Sequence, residues 1–168
     1  MIEQKKSRTP KGELIDEVGA LVVRYQDAGQ RYDEAVGEVF GLGPAERLCL
    51  SFLWDGAKAA SEIARHTRLT PAAVTSLIDR LEKRGFVKRK PDPSDRRKVM
   101  VELAQESAKL IAEAYAPLQA AGEKSLSRYS EAELKLFLAI LQDSLSIQDE
   151  MTRNFLARHG KGSPLSDD

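Results

Sequence analysis

The sequence of 168 residues predicts a mainly α-helical fold with one small β-hairpin. Near both ends, apolar residues recur at spacings that keep them on one face of a helix. In the middle, two short helical segments are followed by two β-prone runs with a turn-rich stretch between them. The predicted order is a long helix, three shorter helices, a hairpin and two further helices.

The first helix is predicted within residues 12–42, after a flexible start over residues 1–11. Its apolar positions alternate steps of four and three, which suits packing against a partner helix. Gly41, Gly43 and Pro44 supply the break that ends it. The apolar positions are Leu14, Val18, Leu21, Tyr25, Ala28, Tyr32, Ala35 and Val39.

The central helices carry clear start and stop signals. Pro44 suits a first helical position, and the helix it opens runs to the turn "DG" at residues 55–56. The segment "ASEIARHT" predicts a short helix. Thr70 and Pro71 then form an N-cap and first-turn pair, and Gly85 ends that helix in a left-handed conformation. The buried face of this helix is Val74, Leu77, Ile78 and Leu81.

The hairpin is predicted from "FVKRK" and "VMVEL", which alternate in polarity and flank "PDPSDRRK". Helical patterning returns at Gln105, with Pro117 as a kink or boundary. Ser130 and Glu133 form a capping box for the last helix. The tail, residues 159–168, is polar and expected to be flexible. The apolar stripe of the last helix is Leu134, Leu138, Leu141, Leu145 and Phe155.

Two short helices followed by a hairpin with a basic loop predict a winged helix-turn-helix, in which the second helix enters the major groove of DNA. The outer face of that helix begins with small and hydroxyl side chains, which allow close approach to base edges. An ordinary surface helix with solvated charges is the alternative interpretation. The candidate DNA-contacting residues of this helix are Thr70, Pro71, Ala72, Ala73, Thr75, Ser76, Arg80 and Lys83.

Charge is segregated along the chain, although 26 basic and 26 acidic residues balance overall. Residues 80–98 hold nine basic and three acidic side chains, a local charge of +6, so the remainder sums to −6. Such a field steers an anionic partner to one face. The candidate DNA-contacting residues of the hairpin loop are Asp95, Arg96, Arg97 and Lys98.

The sequence disfavours catalysis. Its two histidines, His66 and His159, lie far apart in the chain, and there is no glycine-rich phosphate loop, metal-ligand cluster or nucleophile elbow. We therefore expect no enzyme activity, no cofactor and no metal. A single cysteine excludes an internal disulfide, and no apolar run has membrane-spanning length. We expect a cytoplasmic protein that does not bind membranes.

The stretch "LTPAAVTSLIDRLEKRGFVKRKPDPSDRRKVMVEL" resembles the recognition helix and wing of the MarR family of bacterial transcriptional regulators. The wing pattern of that family is an aspartate, one residue, an arginine, and strand residues leading to leucine. Here these positions are Asp95, Arg97 and Leu103. The segment "FGLGPAERLCLSFL" resembles the second helix of the family. The segment "ELAQESA" departs from it, since the family often has threonine and then glycine after the leucine.

The resemblance implies a homodimer that binds double-stranded DNA at a pseudo-palindromic operator, with the recognition helix in the major groove and the wing in the minor groove. It implies dimerisation helices within 12–42 and 105–158, which flank a DNA-binding domain over 43–104. In the family the wing aspartate positions the arginine, a role that falls to Asp95 and Arg97. We further expect Asp79 and Arg80 to join this network.

The resemblance also implies a ligand-responsive repressor with a small-molecule effector pocket between the dimer helices and the winged helix. Candidate lining residues are Tyr25, Tyr32, Phe52 and Trp54, whose alternative role is plain core packing.

Two other functions remain open. A winged helix can be a protein-interaction module, although such a module has no need of concentrated Arg96, Arg97 and Lys98. Cys49 could serve a redox-sensing regulator, but its apolar neighbours favour packing, and Arg47 should point elsewhere.

Overall fold

The computed structural model describes residues 9–92 and 99–159. It contains six α-helices and three short strands within those ranges. The chain divides into two compact units, residues 1–114 and residues 115–168. Residues 1–8 and 160–168, which belong to the ends predicted to be flexible over 1–11 and 159–168, lie outside the described residues.

Helix α1 spans Pro10–Phe40 and helix α2 spans Pro44–Leu53. The Thr9 hydroxyl caps α1 by accepting from the amide of Gly12 at 3.2 Å. Gly41 ends the helix with φ 61°, a left-handed conformation that glycine adopts without a Cβ clash. The predicted first and second helices are confirmed, and α1 already begins at Pro10 within the segment expected to be flexible.

Helices α3, Ala60–Thr67, and α4, Pro71–Lys83, form the helix-turn-helix. Arg68 occupies the turn with φ 56°. Four residues of α4 are buried: Val74, Leu77, Ile78 and Leu81. The predicted inward face is therefore confirmed, and it fixes which side chains α4 presents outward.

The sheet has three strands rather than the two predicted. Strands β2, Val87–Pro91, and β3, Val99–Leu103, form the expected antiparallel hairpin. A two-residue strand β1, Lys58–Ala59, pairs with the other edge of β3. A run of two residues is too short to show an alternating pattern, so the sequence could not predict β1. The strand forms because β3 lies beside it in the folded chain.

The core of the first unit lies where α2, α3 and α4 meet the sheet. Leu53, Ile63, Leu77 and Leu81 are almost completely buried there, and Val101 of β3 closes the cluster. Burying one such aliphatic side chain contributes about 1.5 to 3 kcal/mol. This core holds the helix-turn-helix and the hairpin in one body.

Helix α5 spans Gln105–Leu126 and helix α6 spans Glu131–His159. Pro117 lies inside α5, so it marks no boundary between helices. The predicted capping box is confirmed, because the amide of Ser130 donates to Glu133 Oε2 at 2.8 Å and the amide of Glu133 donates to Ser130 Oγ at 3.3 Å. Since α6 includes His159, the assignment of that residue to a flexible tail was wrong.

The apolar stripes of α1 and α6 are exposed. On α1, Leu14, Leu21 and Tyr25 are each at least 60% exposed. On α6, Leu145 and Phe155 are exposed to a similar degree. Exposed apolar stripes of this kind are typical of interaction surfaces.

Candidate nucleic-acid interface

The recognition helix α4 is capped so that its first turn is rigid. The Thr70 hydroxyl accepts from the amide of Ala73 at 3.3 Å, and Pro71 occupies the first turn. At the other end, Gly85 has φ 77°. Both predicted boundary signals are confirmed, and the helix presents one outward face between them.

The outward face of α4 carries the predicted side chains. Ala72, Thr75 and Ser76 are exposed in the first half, and Arg80 and Lys83 in the second. The exposed Thr75 side chain donates its hydroxyl proton to the carbonyl of Pro71 at 3.0 Å, so the hydroxyl oxygen can still accept a hydrogen bond. This half of the helix can approach base edges closely, while the second half supplies positive charge.

Two lysines of β2 form ion pairs with one glutamate of β3. Lys88 Nζ lies 3.1 Å from Glu102 Oε1, and Lys90 pairs with Glu102 Oε2. Hydrogen bonds from Lys90 and Lys88 lower the pKa of Glu102, so this carboxylate stays ionised. The four predicted wing residues, Asp95, Arg96, Arg97 and Lys98, lie outside the described residues, and their DNA contacts remain predictions.

Asp79 and Arg80 each pair with a described residue outside the wing loop, while the network expected for them with Asp95 and Arg97 falls on residues that the structure does not describe and stays a prediction. Arg80 Nε lies 3.6 Å from Glu46 Oε1 of α2. Asp79 Oδ1 lies 2.5 Å from Arg89 Nη2 of β2. Arg89 was not among the predicted site residues. Its only signal in the sequence is a basic residue on a strand that follows two helical acids, Asp79 and Glu82, spaced by three.

Glu46 anchors a second cluster that sequence reasoning missed. This nearly buried carboxylate accepts from the amide of Gly43 at 2.9 Å, so it caps α2. Arg84 Nη1 lies 3.5 Å from it. Arg84 Nη2 also donates to the carbonyl of Phe40 at 2.7 Å. The end of α1, the start of α2 and the end of α4 are thus tied together.

The chain is similar to known proteins in sequence and in fold. The family model described as "MarR family" matches residues 47–99. The HTH-type transcriptional regulator YcgE of Bacillus subtilis is 32% identical over 120 residues, which cover 71% of this chain and 78% of YcgE. The chain belongs to the MarR family. It is a DNA-binding transcriptional regulator with a winged-helix fold.

Two further relatives extend the comparison. The HTH-type transcriptional repressor YetL of Bacillus subtilis is 30% identical over 107 residues, covering 61% of this chain and 64% of YetL. A solved MarR family protein from Bacillus stearothermophilus superposes with a TM-score of 0.59 at 23% identity, covering 83% of this chain and 96% of that one. The structural likeness shows the shared fold.

The four aromatic residues predicted to line an effector pocket have different surroundings in this MarR family chain. Tyr25 and Trp54 are exposed. The Tyr32 hydroxyl donates to the carbonyl of Ala114 at 2.8 Å. Phe52 stacks on the His66 ring, with ring centres 4.1 Å apart. A cleft of about 480 Å³ at the α1–α2 junction is lined by residues between 34 and 47, and none of the four belongs to it.

Cys49 is part of the core. The side chain is fully buried, and this burial, followed by the charge of Glu46, raises the pKa of the thiol to about 11. Arg47 points away, since its Nη1 donates to the carbonyl of Asp33 at 2.9 Å. Burial removes both the access and the thiolate that a redox sensor needs. The packing role predicted for Cys49 is favoured.

Within residues 9–92 and 99–159, no group of three or more histidine, cysteine or acidic side chains is arranged to hold a metal ion. In the same ranges, no helix has the length and apolar character needed to cross a membrane.

Proposed function

We propose that this MarR family chain is a homodimeric, ligand-responsive repressor that binds a pseudo-palindromic operator. Helix α4 enters the major groove, and the loop between β2 and β3 reaches the minor groove. The observation that carries the proposal is the outward face of α4. Its small and hydroxyl side chains are exposed on a helix whose opposite face is buried in the core.

Within this proposal, Thr75 and Ser76 contact bases, and Arg80 and Lys83 contact phosphates. Arg80 must then leave Glu46 or share its guanidinium with a phosphate, which its 61% exposed side chain permits. The loop residues Arg96, Arg97 and Lys98 add positive charge beside the helix, and Asp95 positions Arg97.

The exposed apolar stripes support the homodimer. A monomer would leave Leu14, Leu21 and Tyr25 of α1 in water, together with Leu145 and Phe155 of α6. A second copy offers the same stripes, so a two-fold interface buries both sets at once. Residues 12–42 and 105–158 form the dimerisation regions in this proposal. Two copies then read two half-sites related by the same two-fold axis.

The proposal includes repression of transcription and a response to a small-molecule ligand. YetL, which is named a repressor, supports the sign of regulation. A small molecule that binds between the dimerisation helices and the winged helix would change the spacing of the two recognition helices. Tyr25, Tyr32, Phe52 and Trp54 remain the proposed lining residues in the dimer.

Footprinting on the DNA upstream of the protein's own gene tests whether the protein binds an operator there. A protected, near-palindromic site supports the proposal. Binding to that site should weaken steeply with salt, because phosphate contacts release condensed counterions. With about three to five contacts per subunit, the slope of log K against log salt should lie near −5 to −9. A slope shallower than about −2 contradicts it.

A further inference from the structure

The recognition helix and the first wing strand are joined by three charged side chains, Asp79, Glu82 and Arg89, which we call the Arg89 clamp. Asp79 and Glu82 are three residues apart on α4, so they lie on the same side of the helix. Arg89 projects from β2 and reaches both. The clamp therefore spans the two elements that the proposed function brings to DNA.

The contacts of Arg89 use both ends of its planar group. Nη2 lies 2.5 Å from Asp79 Oδ1, and Nη1 pairs with Glu82 Oε2. The backbone amide of Arg89 also donates to Glu82 Oε1 at 3.1 Å. Hydrogen bonding to Asp79 and the charge of Glu82 raise the pKa of the guanidinium. Three contacts from one strand residue to one helix restrict both the distance and the rotation between them.

The net charge of the clamp is negative, and a negative charge beside DNA weakens binding, so the clamp needs a structural reason to be there. Two acids and one base leave a net negative charge on a helix that faces phosphates. Arg89 is the least exposed of the three, at 31%, while Asp79 is 58% exposed. An arginine meant for phosphate contact would gain nothing from two carboxylates. Its placement suits an internal tie.

We propose that Asp79 and Glu82 are positioning residues for DNA binding, which hold the wing strand against the recognition helix through Arg89. The chain leaves β2 at Pro91, two residues beyond Arg89, so the clamp fixes the strand from which the wing loop starts. Helix and wing then approach DNA in one relative orientation. This inference rests on the proposed docking of α4 and the wing.

The test is a thermodynamic cycle on the full chain with Asp79→Asn, Arg89→Gln and the double variant. The probe is the duplex that the wild type enriches from a random pool, with a random-sequence duplex as reference. Asp79→Asn removes a negative charge, so simple electrostatics predicts tighter binding. The clamp predicts the opposite, a loss of about three- to tenfold on the enriched duplex.

The sign should change in the second background. Once Arg89→Gln has opened the clamp, Asp79 is only an acid beside phosphate, and Asp79→Asn should strengthen binding or leave it unchanged. The proposal stands if the loss occurs with Arg89 present and is absent or reversed without it, and every other pattern overturns it. Asp55→Asn, in the exposed turn after α2, is the matched control and should not weaken binding.

A second measurement needs no DNA. Asp79→Asn and Glu82→Gln should each accelerate hydrogen exchange of the β2 amides, that of Arg89 above all, while α6 amides keep their wild-type rates. Unchanged β2 protection overturns the clamp. If the wild type enriches no duplex from the random pool, the proposed function fails, and the exchange rates still decide whether the clamp exists.

Discussion

Arg84 Nη2, at the end of the recognition helix, donates a 2.7 Å hydrogen bond to the carbonyl oxygen of Phe40, the last residue of α1. The last carbonyls of a helix lack intrahelical partners. A guanidinium donates a hydrogen bond to one of them, and its positive charge interacts favourably with the negative end of the helix dipole. Arg84 also faces the nearly buried Glu46. The contact connects a proposed dimerisation helix to the DNA-binding helix.

Arg84→Ala should lower the free energy of unfolding by about 1 to 2 kcal/mol, since it removes a charged hydrogen bond and one partner of Glu46. Arg84→Lys should retain part of this, because one ammonium replaces a two-pronged group. Urea unfolding followed by circular dichroism measures both. Arg65→Ala, at an exposed position of α3, is the control and should change stability by less than about 0.5 kcal/mol. Equal effects of Arg84→Ala and Arg65→Ala would contradict the assignment.

The dimer should be lost when residues 1–40 are removed, because the exposed stripe of α1 goes with them. A point variant, Leu21→Glu, should weaken it without deleting a helix, since a carboxylate would be buried in the apolar interface. Sedimentation velocity over a range of concentrations reports both changes. Gln26→Glu adds the same charge to α1 away from the stripe and should leave the dimer intact. A stable dimer of the truncated chain would refute the interface.

Ser76→Ala should weaken binding to the enriched duplex by about 1 to 3 kcal/mol and leave random DNA almost unaffected, because a lost base contact reduces discrimination. Lys83→Gln is the contrasting variant. It should weaken both duplexes alike and reduce the salt slope by about one unit per subunit. Fluorescence anisotropy titrations at several salt concentrations separate the two effects. Equal losses for Ser76→Ala on both duplexes would remove it from base recognition.

The wing variants Arg97→Ala and Asp95→Ala should both weaken DNA binding, for different reasons. Arg97→Ala removes a charge that senses minor-groove potential, so its salt slope falls. Asp95→Ala removes no positive charge, and its slope should stay near that of the wild type. Titration of one labelled duplex compares them. Tighter binding by Asp95→Ala would show that this aspartate acts only as a repulsive charge.

Cys49 should make stability depend on pH in the alkaline range. Burial raises the pKa of the folded thiol from 9.0 to about 11, so the unfolded chain loses this proton first as pH rises. The contribution is complete below pH 9 and is lost between pH 9 and 11, by at most about 1.4 kcal/mol per pH unit. The stability difference between wild type and Cys49→Ala should therefore narrow over that interval. Urea unfolding at pH 8 and 10.5 measures it, and a constant difference would contradict the burial of the thiol.

Local signals in the sequence determined the helices, the hairpin and the inward face of α4. These signals are the caps at Thr70 and Ser130, the helix end at Gly85 and the spacing of apolar residues. Each depends on neighbours within about four positions, so it can be recognised without knowledge of the fold. The family resemblance rested on the same continuous stretch, which runs from α4 through the wing. The outward face of α4 followed from its inward face by geometry alone.

Tertiary structure alone decided the charged partnerships and the third strand. Glu46 and Arg84 are 38 positions apart, and they meet because α2 and α4 pack on one core. Asp79 and Arg89 are ten positions apart, and they meet because β2 packs against α4. Long charged side chains can reach many partners, and only the packed backbone selects among them. Strand β1 also depends on the tertiary structure. Its two residues are too few to predict a strand, and they form one because the edge of β3 offers backbone hydrogen bonds.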